Sequence, residues 1–128
     1  MKILAEISAG ELIDKLTILE LKLDHIADPD KRANVSRERD SLAATLAREV
    51  EDAAPLRTLR GELKSVNARL WFVEDELRRL EREGRFDGEF VELARAVYLS
   101  NDRRARLKRE INRLTRSEIV EEKSYAAY

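Results

Sequence analysis

Apolar residues recur at alternating spacings of three and four between Leu56 and Leu80, where they form the longest apolar seam of the chain. This spacing places side chains on one face of an α-helix, so it predicts a helix of about 37 Å at ~1.5 Å per residue. Every first heptad position is leucine, whereas parallel coiled coils favour β-branched residues there. The coiled-coil-like pattern therefore favours an antiparallel bundle. The seam consists of Leu56, Leu59, Leu63, Val66, Leu70, Val73, Leu77 and Leu80.

Two further helices are predicted before this seam. Ser8 and Glu11 form an S-x-x-E capping box, which starts a first helix whose apolar side chains extend to Ile26. Asp28-Pro29 stops that helix and starts the next, because aspartate is a good N-cap and proline suits the first helical position. The second helix, from about Pro29 to Glu51, has a sparser apolar seam. We predict that it is an outer helix.

A fourth helix is predicted after the central one. Gly84 is a natural C-terminal cap for the central helix, and Asp87 can cap the helix that follows. Five polar residues, 100–104, interrupt the apolar seam of this fourth helix. Either the helix breaks and restarts at Ser100 or Asn101, or it continues through a polar layer of the bundle. We favour the continuous helix.

The two ends of the chain are less regular than its middle. Residues 3–7 alternate in a way that weakly resembles a strand, but no partner strand is evident. The tail from about residue 117 loses helical periodicity and carries Tyr125 and Tyr128, whose rings can dock on the bundle. We predict that residues 1–128 form a single all-α domain, an antiparallel bundle of three to four long helices arranged as two helical hairpins.

Composition narrows the possible functions. Charged residues make up 40% of the chain, with four glycines and two prolines, which is typical of long helices. The net charge of -1 gives no overall attraction to nucleic acid or membranes. No apolar run approaches the roughly 18 residues that span a bilayer, so membrane insertion is not expected. The absence of cysteine fits a cytoplasmic location. Without a metal-ligand spacing or a phosphate-binding glycine loop, no metal and no cofactor is expected.

A stripe of polar and aromatic side chains lies beside the apolar seam of the central helix. In a hairpin that turns near Arg85, residues whose numbers sum to about 171 lie at the same height, so Trp71 faces Ser100. The stripe can form a small-ligand pocket between helices, or a satisfied hydrogen-bond layer that fixes the helix register. We favour the second interpretation. The candidate ligand-binding residues are Asn67, Trp71, Glu74, Asp75, Tyr98, Asn101 and Asp102.

A basic run lies between residues 103 and 116, where seven bases accompany one acid. Such a face can hold phosphate groups, and Arg103, Arg106 and Arg113 are the candidate anion contacts. However, residues 1–30 contain seven acids and three bases, so the first helix can neutralise the fourth. No aromatic residues are interleaved for base stacking, and nucleic-acid binding is not expected. We favour a solvated or internally paired face.

Four blocks of the sequence resemble the signature of an uncharacterised bacterial domain family. The resemblance covers nearly the whole chain and implies a family of unknown function, loosely associated with glycosyltransferase and surface-polysaccharide contexts. The blocks are EISAGELIDKLTILELK (6–22), VNARLWFVEDELR (66–78), FDGEFVELARAVYLSNDRRARLKREIN (86–112) and EEKSY (121–125). The resemblance implies that the family pattern includes Glu11, Asp14, Lys15, Asn67, Trp71, Glu74, Asp75, Tyr98, Asn101, Asp102 and Lys123.

Two functional hypotheses follow from the sequence. The first is a cytoplasmic accessory or protein-interaction module, for which the resemblance implies a role in glycan assembly. Such a module is expected to dimerise, because Trp71 and Phe72 leave the seam on adjacent positions and cannot both be covered by one neighbouring helix. The second is a binder or enzyme for an anionic ligand, such as a sugar phosphate or nucleotide sugar, that uses the polar layer. His25 is the only histidine and has no evident nucleophile beside it, so catalysis is the less favoured of the two.

Overall fold

The computed structural model describes residues 1–128 and contains four helices and no strand. The helices are α1 (Ala9–His25), α2 (Pro29–Glu49), α3 (Ala54–Glu83) and α4 (Gly88–Thr115). Because 75% of the chain is helical, the predicted all-α bundle is confirmed. Residues 3–7 have no regular secondary structure, so the weak resemblance to a strand was wrong. An isolated strand has no partner for its backbone hydrogen bonds.

The predicted caps set the helix ends. The hydroxyl oxygen of Ser8 accepts a hydrogen bond from the Glu11 amide at 3.0 Å, as the capping box requires. The carboxylates of Asp28 and Asp87 accept backbone hydrogen bonds at the starts of α2 and α4 in the same way. Gly84 ends α3 with φ at 66°, in the left-handed region that glycine adopts without strain.

Helices α3 and α4 form an antiparallel hairpin, and α1 packs against both of them. Gly10 contacts Asn112 and Asp14 contacts Arg104, so α1 runs antiparallel to α4. Helix α2 packs against α1 alone, which confirms it as an outer helix. The main apolar core lies where α1 meets the hairpin, and it contains Ile13, Leu56, Leu63, Val66, Leu107 and Ile111.

Helix α4 continues without a break through residues 100–104. The favoured interpretation of this segment is therefore confirmed. Within this segment Arg104 turns towards the interior of the bundle. Its charge is paired there with Asp14 of α1, so the helix can carry a polar residue on its buried side without a break. None of the four helices combines the length and apolar character that a membrane span requires.

Candidate functional site

A buried carboxylate joins α1, α3 and α4. Asp14 is 1% exposed, and its Oδ1 accepts hydrogen bonds from Asn67 Nδ2 at 2.8 Å and from Arg104 Nε at 2.9 Å. Arg104 also donates from Nη2 to Oδ2, so the guanidinium holds the carboxylate with two parallel bonds. A carboxylate removed from water is tolerated only when its charge is paired in this way. Asp14 therefore fixes the register of the three helices.

Thr17 completes this group, which we call the Asp14 cluster (Asp14, Thr17, Asn67 and Arg104). The Thr17 hydroxyl donates to the Asp14 backbone carbonyl at 2.8 Å and accepts from Asn67 Nδ2 at 2.9 Å. The hydrogen bond and charge of Asp14 raise the pKa of Arg104, which keeps the guanidinium protonated. No buried side-chain nitrogen or oxygen in the protein lacks a hydrogen-bond partner. The cluster is therefore satisfied by its own members.

Lys108 lies one turn further along α4 and connects α1 to the C-terminal tail. Its Nζ donates to the carboxylate of Glu11 at 2.6 Å and to that of Glu121 at 3.4 Å. Partial burial favours a higher pKa for Glu11, but the hydrogen bond from Lys108 and the charges of Lys108 and Lys15 outweigh it and lower that pKa. A second network of paired charges therefore extends from the Asp14 cluster towards the surface.

The start of α1 approaches α4 unusually closely. Gly10 donates its backbone N–H to Asn112 Oδ1 at 2.7 Å. A Cβ atom at Gly10 would lie 2.6 Å from the backbone carbonyl oxygen of Lys108, which is closer than two such atoms can come. Glycine is therefore required here for the close packing that brings Glu11 and Asp14 onto α4.

The space beside these charges is small. A pocket of about 20 Å³ is lined by Lys108, Arg109, Asn112, Glu121 and Lys123, together with Ala105. That volume holds roughly one water molecule. A sugar phosphate or nucleotide sugar, which needs a cleft of several hundred Å³, does not fit.

The four candidate residues on α3 occupy different surroundings. Asn67 belongs to the Asp14 cluster. Trp71 stacks on His25 at the end of α1, with ring centroids 4.8 Å apart and 15° between the planes. Glu74 pairs with Arg78 on the same helix, and Asp75 is exposed. The α3 stripe is thus split between an interior hydrogen-bond layer, an aromatic contact and the surface.

The candidates Tyr98 and Asp102 contact the C-terminal tail. The Tyr128 ring lies 5.5 Å from that of Tyr98, and the Tyr128 hydroxyl donates to Asp102 Oδ2. This hydrogen bond and the charge of Asp102 raise the pKa of Tyr128. Asn101, the neighbouring candidate, is half-buried. The tail therefore runs back along α4 to reach the outer edge of the hairpin.

The basic run of α4 is divided between two environments. Arg104 and Lys108 turn inward to Asp14 and Glu11, so α1 neutralises part of the run as the acid count predicted. The anion-binding candidates Arg103, Arg106 and Arg113 are instead exposed. Arg113 borders an open groove of about 690 Å³ between the start of α3 and the end of α4, which is also lined by Pro55, Thr58, Leu59, Glu110, Leu114 and Arg116.

Several residues of the interior network were missing from the candidate set. Arg104 and Lys108 were counted as part of a basic face, and Thr17 and Asn112 were not singled out. The available signal was Asp14 and Thr17, two polar residues within the strongly apolar stretch of α1. Polar side chains on a helix face that is otherwise buried must find partners inside the protein.

One face of the α3–α4 hairpin is turned away from α1. Leu99 lies nine residues before Lys108, hence about 180° around α4 from a side chain that contacts α1, at ~100° per residue. Phe72 lies five residues, or about 140°, from Asn67 on α3. These side chains are 53% (Phe72) and 42% (Leu99) exposed. We call the surface around Phe72 and Leu99 the open face.

Phe72 and Leu99 lie at the same level of the hairpin. Arg79 on α3 contacts Glu89 on α4 at 3.4 Å, and Thr58 shares the groove with Arg113. Residues of the two helices whose numbers sum to about 170 are therefore neighbours, in agreement with the antiparallel register. The open face has an apolar centre near the middle of the hairpin, with charged side chains on both sides of it.

Comparison with known proteins gives a family but no activity. No curated protein and no solved structure is detectably similar to this chain. One family model, described as a family of unknown function (DUF6165), matches residues 1–128. The match covers all four helices and the tail. The chain belongs to the DUF6165 family.

Proposed function

We propose that this protein is a helical interaction module that binds a protein partner through the open face. The observation that carries this proposal is the exposure of Phe72 and Leu99 at the same level of a two-helix surface. Exposed apolar side chains with a charged rim are typical of protein-binding surfaces. A helical partner suits such a surface, and a second copy of the chain is one example.

The interior of the bundle supports the same proposal. Asp14, Asn67 and Thr17 use their hydrogen-bonding groups on one another, and Arg104 neutralises the buried charge. A binding site keeps polar groups open for its ligand, whereas these are already occupied. This layer therefore serves the register of the helices, and the functional surface lies elsewhere. A cytoplasmic setting, which the absence of cysteine supports, and a role in glycan assembly, which the family resemblance implies, are part of the proposal.

A small anionic ligand remains the alternative function, and one observation favours it. Arg113 and Arg116 border the open groove beside Pro55, which is large enough for a sugar phosphate. Thermal shifts with nucleotide sugars, sugar phosphates and inorganic phosphate test this alternative. Binding at one hundred times the dissociation constant stabilises a protein by about 2.7 kcal/mol. A shift that disappears in Arg113→Ala would favour the ligand-binding function.

Site-specific photo-crosslinking in cells tests the interaction module. A benzophenone side chain replaces Phe72 or Leu99, and Val91 is the control because it is also 53% exposed and lies on α4. We expect protein adducts from the two open-face positions and far fewer from the control. The mass of the adduct gives the size of the partner.

Two crosslinking results would contradict the proposed function. Equal adduct yields at Phe72, Leu99 and Val91 would show that the open face has no particular affinity for protein. The absence of adducts from all three positions would also contradict the proposed function.

A further inference from the structure

We infer that residues 1–7, which precede α1 and which we call segment 1–7, dock as an added β-strand on the exposed edge of a β-sheet in another protein. This inference goes beyond the proposed function, because it concerns a second surface and does not involve the open face. The partner is defined by its chemistry. It is an edge strand, whose unpaired backbone N–H and C=O groups can pair with those of an extended segment.

The backbone of segment 1–7 has no hydrogen-bond partner within the protein. The first residue along the chain that takes part in hydrogen bonds is Ser8, whose carbonyl oxygen accepts from the Leu12 amide and whose hydroxyl oxygen accepts from the Glu11 amide. Backbone N–H and C=O groups are strong donors and acceptors that need partners once they leave water. Segment 1–7 therefore presents such groups along both of its edges.

The shape of segment 1–7 suits strand pairing. The segment contains no helix, turn or bend, and none of its residues has a positive φ. Ser8, which follows it, has φ at -71° and ψ at 156°, in the extended region. In extended chain successive side chains point to opposite sides. Ile3, Ala5 and Ile7 then lie on one side, and Lys2, Leu4 and Glu6 on the other.

The apolar side chains of segment 1–7 are uncovered. Ile3 and Leu4 are 83% and 97% exposed, whereas the most exposed large apolar side chains of the helices, Phe72 and Val91, are 53% exposed. Exposed apolar groups of this kind mark interaction sites. In an added strand, main-chain hydrogen bonds supply affinity, and alternate side chains enter pockets of the partner.

The end of segment 1–7 nearest α1 is tied to the bundle. Ser8 is 1% exposed and caps α1. The amides of Ala9 and Gly10 donate to Ser117 Oγ at 3.3 Å and to Asn112 Oδ1 at 2.7 Å. These contacts fix the point at which the segment leaves the bundle. A sheet edge paired with the segment is therefore held close to the start of α1.

The sheet edge belongs to a different protein. This protein contains no strand, so its own fold has no edge to offer. Two copies of segment 1–7 would form only a two-stranded ribbon, which is marginally stable in water. The edge of an existing sheet is already ordered, so pairing with it forms the same hydrogen bonds at a smaller entropic cost.

Proline scanning of the full chain tests the inference. In an added strand, alternate N–H groups point to the partner, and the others point to solvent, where proline is tolerated. A benzophenone side chain at Lys2 is photo-crosslinked in cells in chains with proline at position 3, 4, 5 or 6. We expect the adduct to fall about ten-fold at one alternate pair, 3 and 5 or 4 and 6, and to persist at the other pair.

Alanine at positions 3, 4 and 6 is the matched control, because it removes the side chain and keeps the N–H. These variants should retain the adduct better than proline at whichever alternate pair is sensitive. All variants should keep the wild-type melting temperature, because residues 3–6 are exposed and form no hydrogen bond with the bundle. Peptide mapping of the adduct should place the crosslink in an edge strand of the partner.

Four results would overturn the inference. They are equal losses at all four proline positions, no loss at any of them, a crosslink that maps to a helix of the partner, and the absence of any adduct from position 2. None of these results bears on the proposed function, which adducts at Phe72 and Leu99 test separately.

Discussion

The two faces of the α3–α4 hairpin carry similar residue types with opposite consequences. On the covered face, Arg104 and Lys108 meet the acids of α1, and every buried side-chain nitrogen and oxygen has a hydrogen-bond partner. On the open face, Phe72 and Leu99 are about half exposed, and Glu92 and Arg106 make no ion pair within the chain. The charges of the covered face are paired within one chain, whereas the apolar side chains at the centre of the open face are left exposed.

This difference separates charges that are paired inside the bundle from charges that are exposed on its surface. Arg104 and Arg106 are two residues apart in the same basic run, yet one is fixed by Asp14 and the other is exposed. Their roles depend on which side of α4 each one occupies. A substitution on the covered face should therefore change stability, and a substitution on the open face should change association.

The largest effect on stability is expected from Asp14→Ala. This change removes the acceptor of Asn67 and Arg104 and leaves a guanidinium that is 28% exposed without its carboxylate. Removing one partner of a buried ion pair costs about 3 to 5 kcal/mol, and the partial exposure of Arg104 favours the lower end of that range. Urea unfolding followed by circular dichroism measures the loss.

Glu74→Ala is the matched control for that change. Glu74 also pairs with an arginine, Arg78, but both side chains are substantially exposed. The loss should stay within about 0.5 kcal/mol, as for most surface pairs. Equal losses in the two variants would mean that the covered face gains nothing from burial of its charges.

The next largest effect is expected from Gly10→Ala. The new methyl group would meet the backbone carbonyl of Lys108 at 2.6 Å, so α1 must move away from α4. Overpacking of this kind costs about 1 to 3 kcal/mol. Gly61→Ala is the opposite case, because Gly61 lies within α3 with no atom near the added Cβ, and it should stabilise the protein by roughly 0.5 to 1 kcal/mol. Thermal unfolding of both variants should therefore show shifts of opposite sign.

A smaller effect is expected from acid. The pKa of Glu11 is lower in the folded protein than its ordinary value of 4.5. Its stabilising contribution is therefore complete above about pH 4.5 and is lost as the pH falls towards the folded pKa. Glu11→Gln should lower the melting temperature at pH 7, and the difference from the wild type should shrink below pH 4.5. With Glu38→Gln on α2 as the control, a difference for Glu11→Gln that stays constant down to pH 3 would exclude the ion pair with Lys108 as its cause.

The helices and their ends were predictable because their signals are local. Ser8, Asp28, Gly84 and Asp87 act within one turn of their own positions, so a short stretch of sequence is enough to recognise them. The apolar seam of α3 likewise depends only on spacing along one helix. These features do not require knowledge of how the helices pack on one another.

The polar network was predicted only in part, because it depends on the rotation and register of three helices. Asn67 was a candidate, and the acids of α1 were expected to neutralise α4, but the pairing of Asp14 with Arg104 requires the packed structure. Glu74 was grouped with Asn67 by its spacing. A shift of two turns along α3 moves that side chain beyond the buried layer, where Arg78 is its partner.

The most direct test of the difference between the covered face and the open face is the dependence of the melting temperature on protein concentration. Association stabilises the folded state by mass action, so the wild-type melting temperature should rise between low and high micromolar concentration. Phe72→Glu should remove that rise while leaving the low-concentration value nearly unchanged, and Asp14→Ala should lower the melting temperature yet keep the rise. A Phe72→Glu variant that melts lower at every concentration, with the rise intact, would contradict the account.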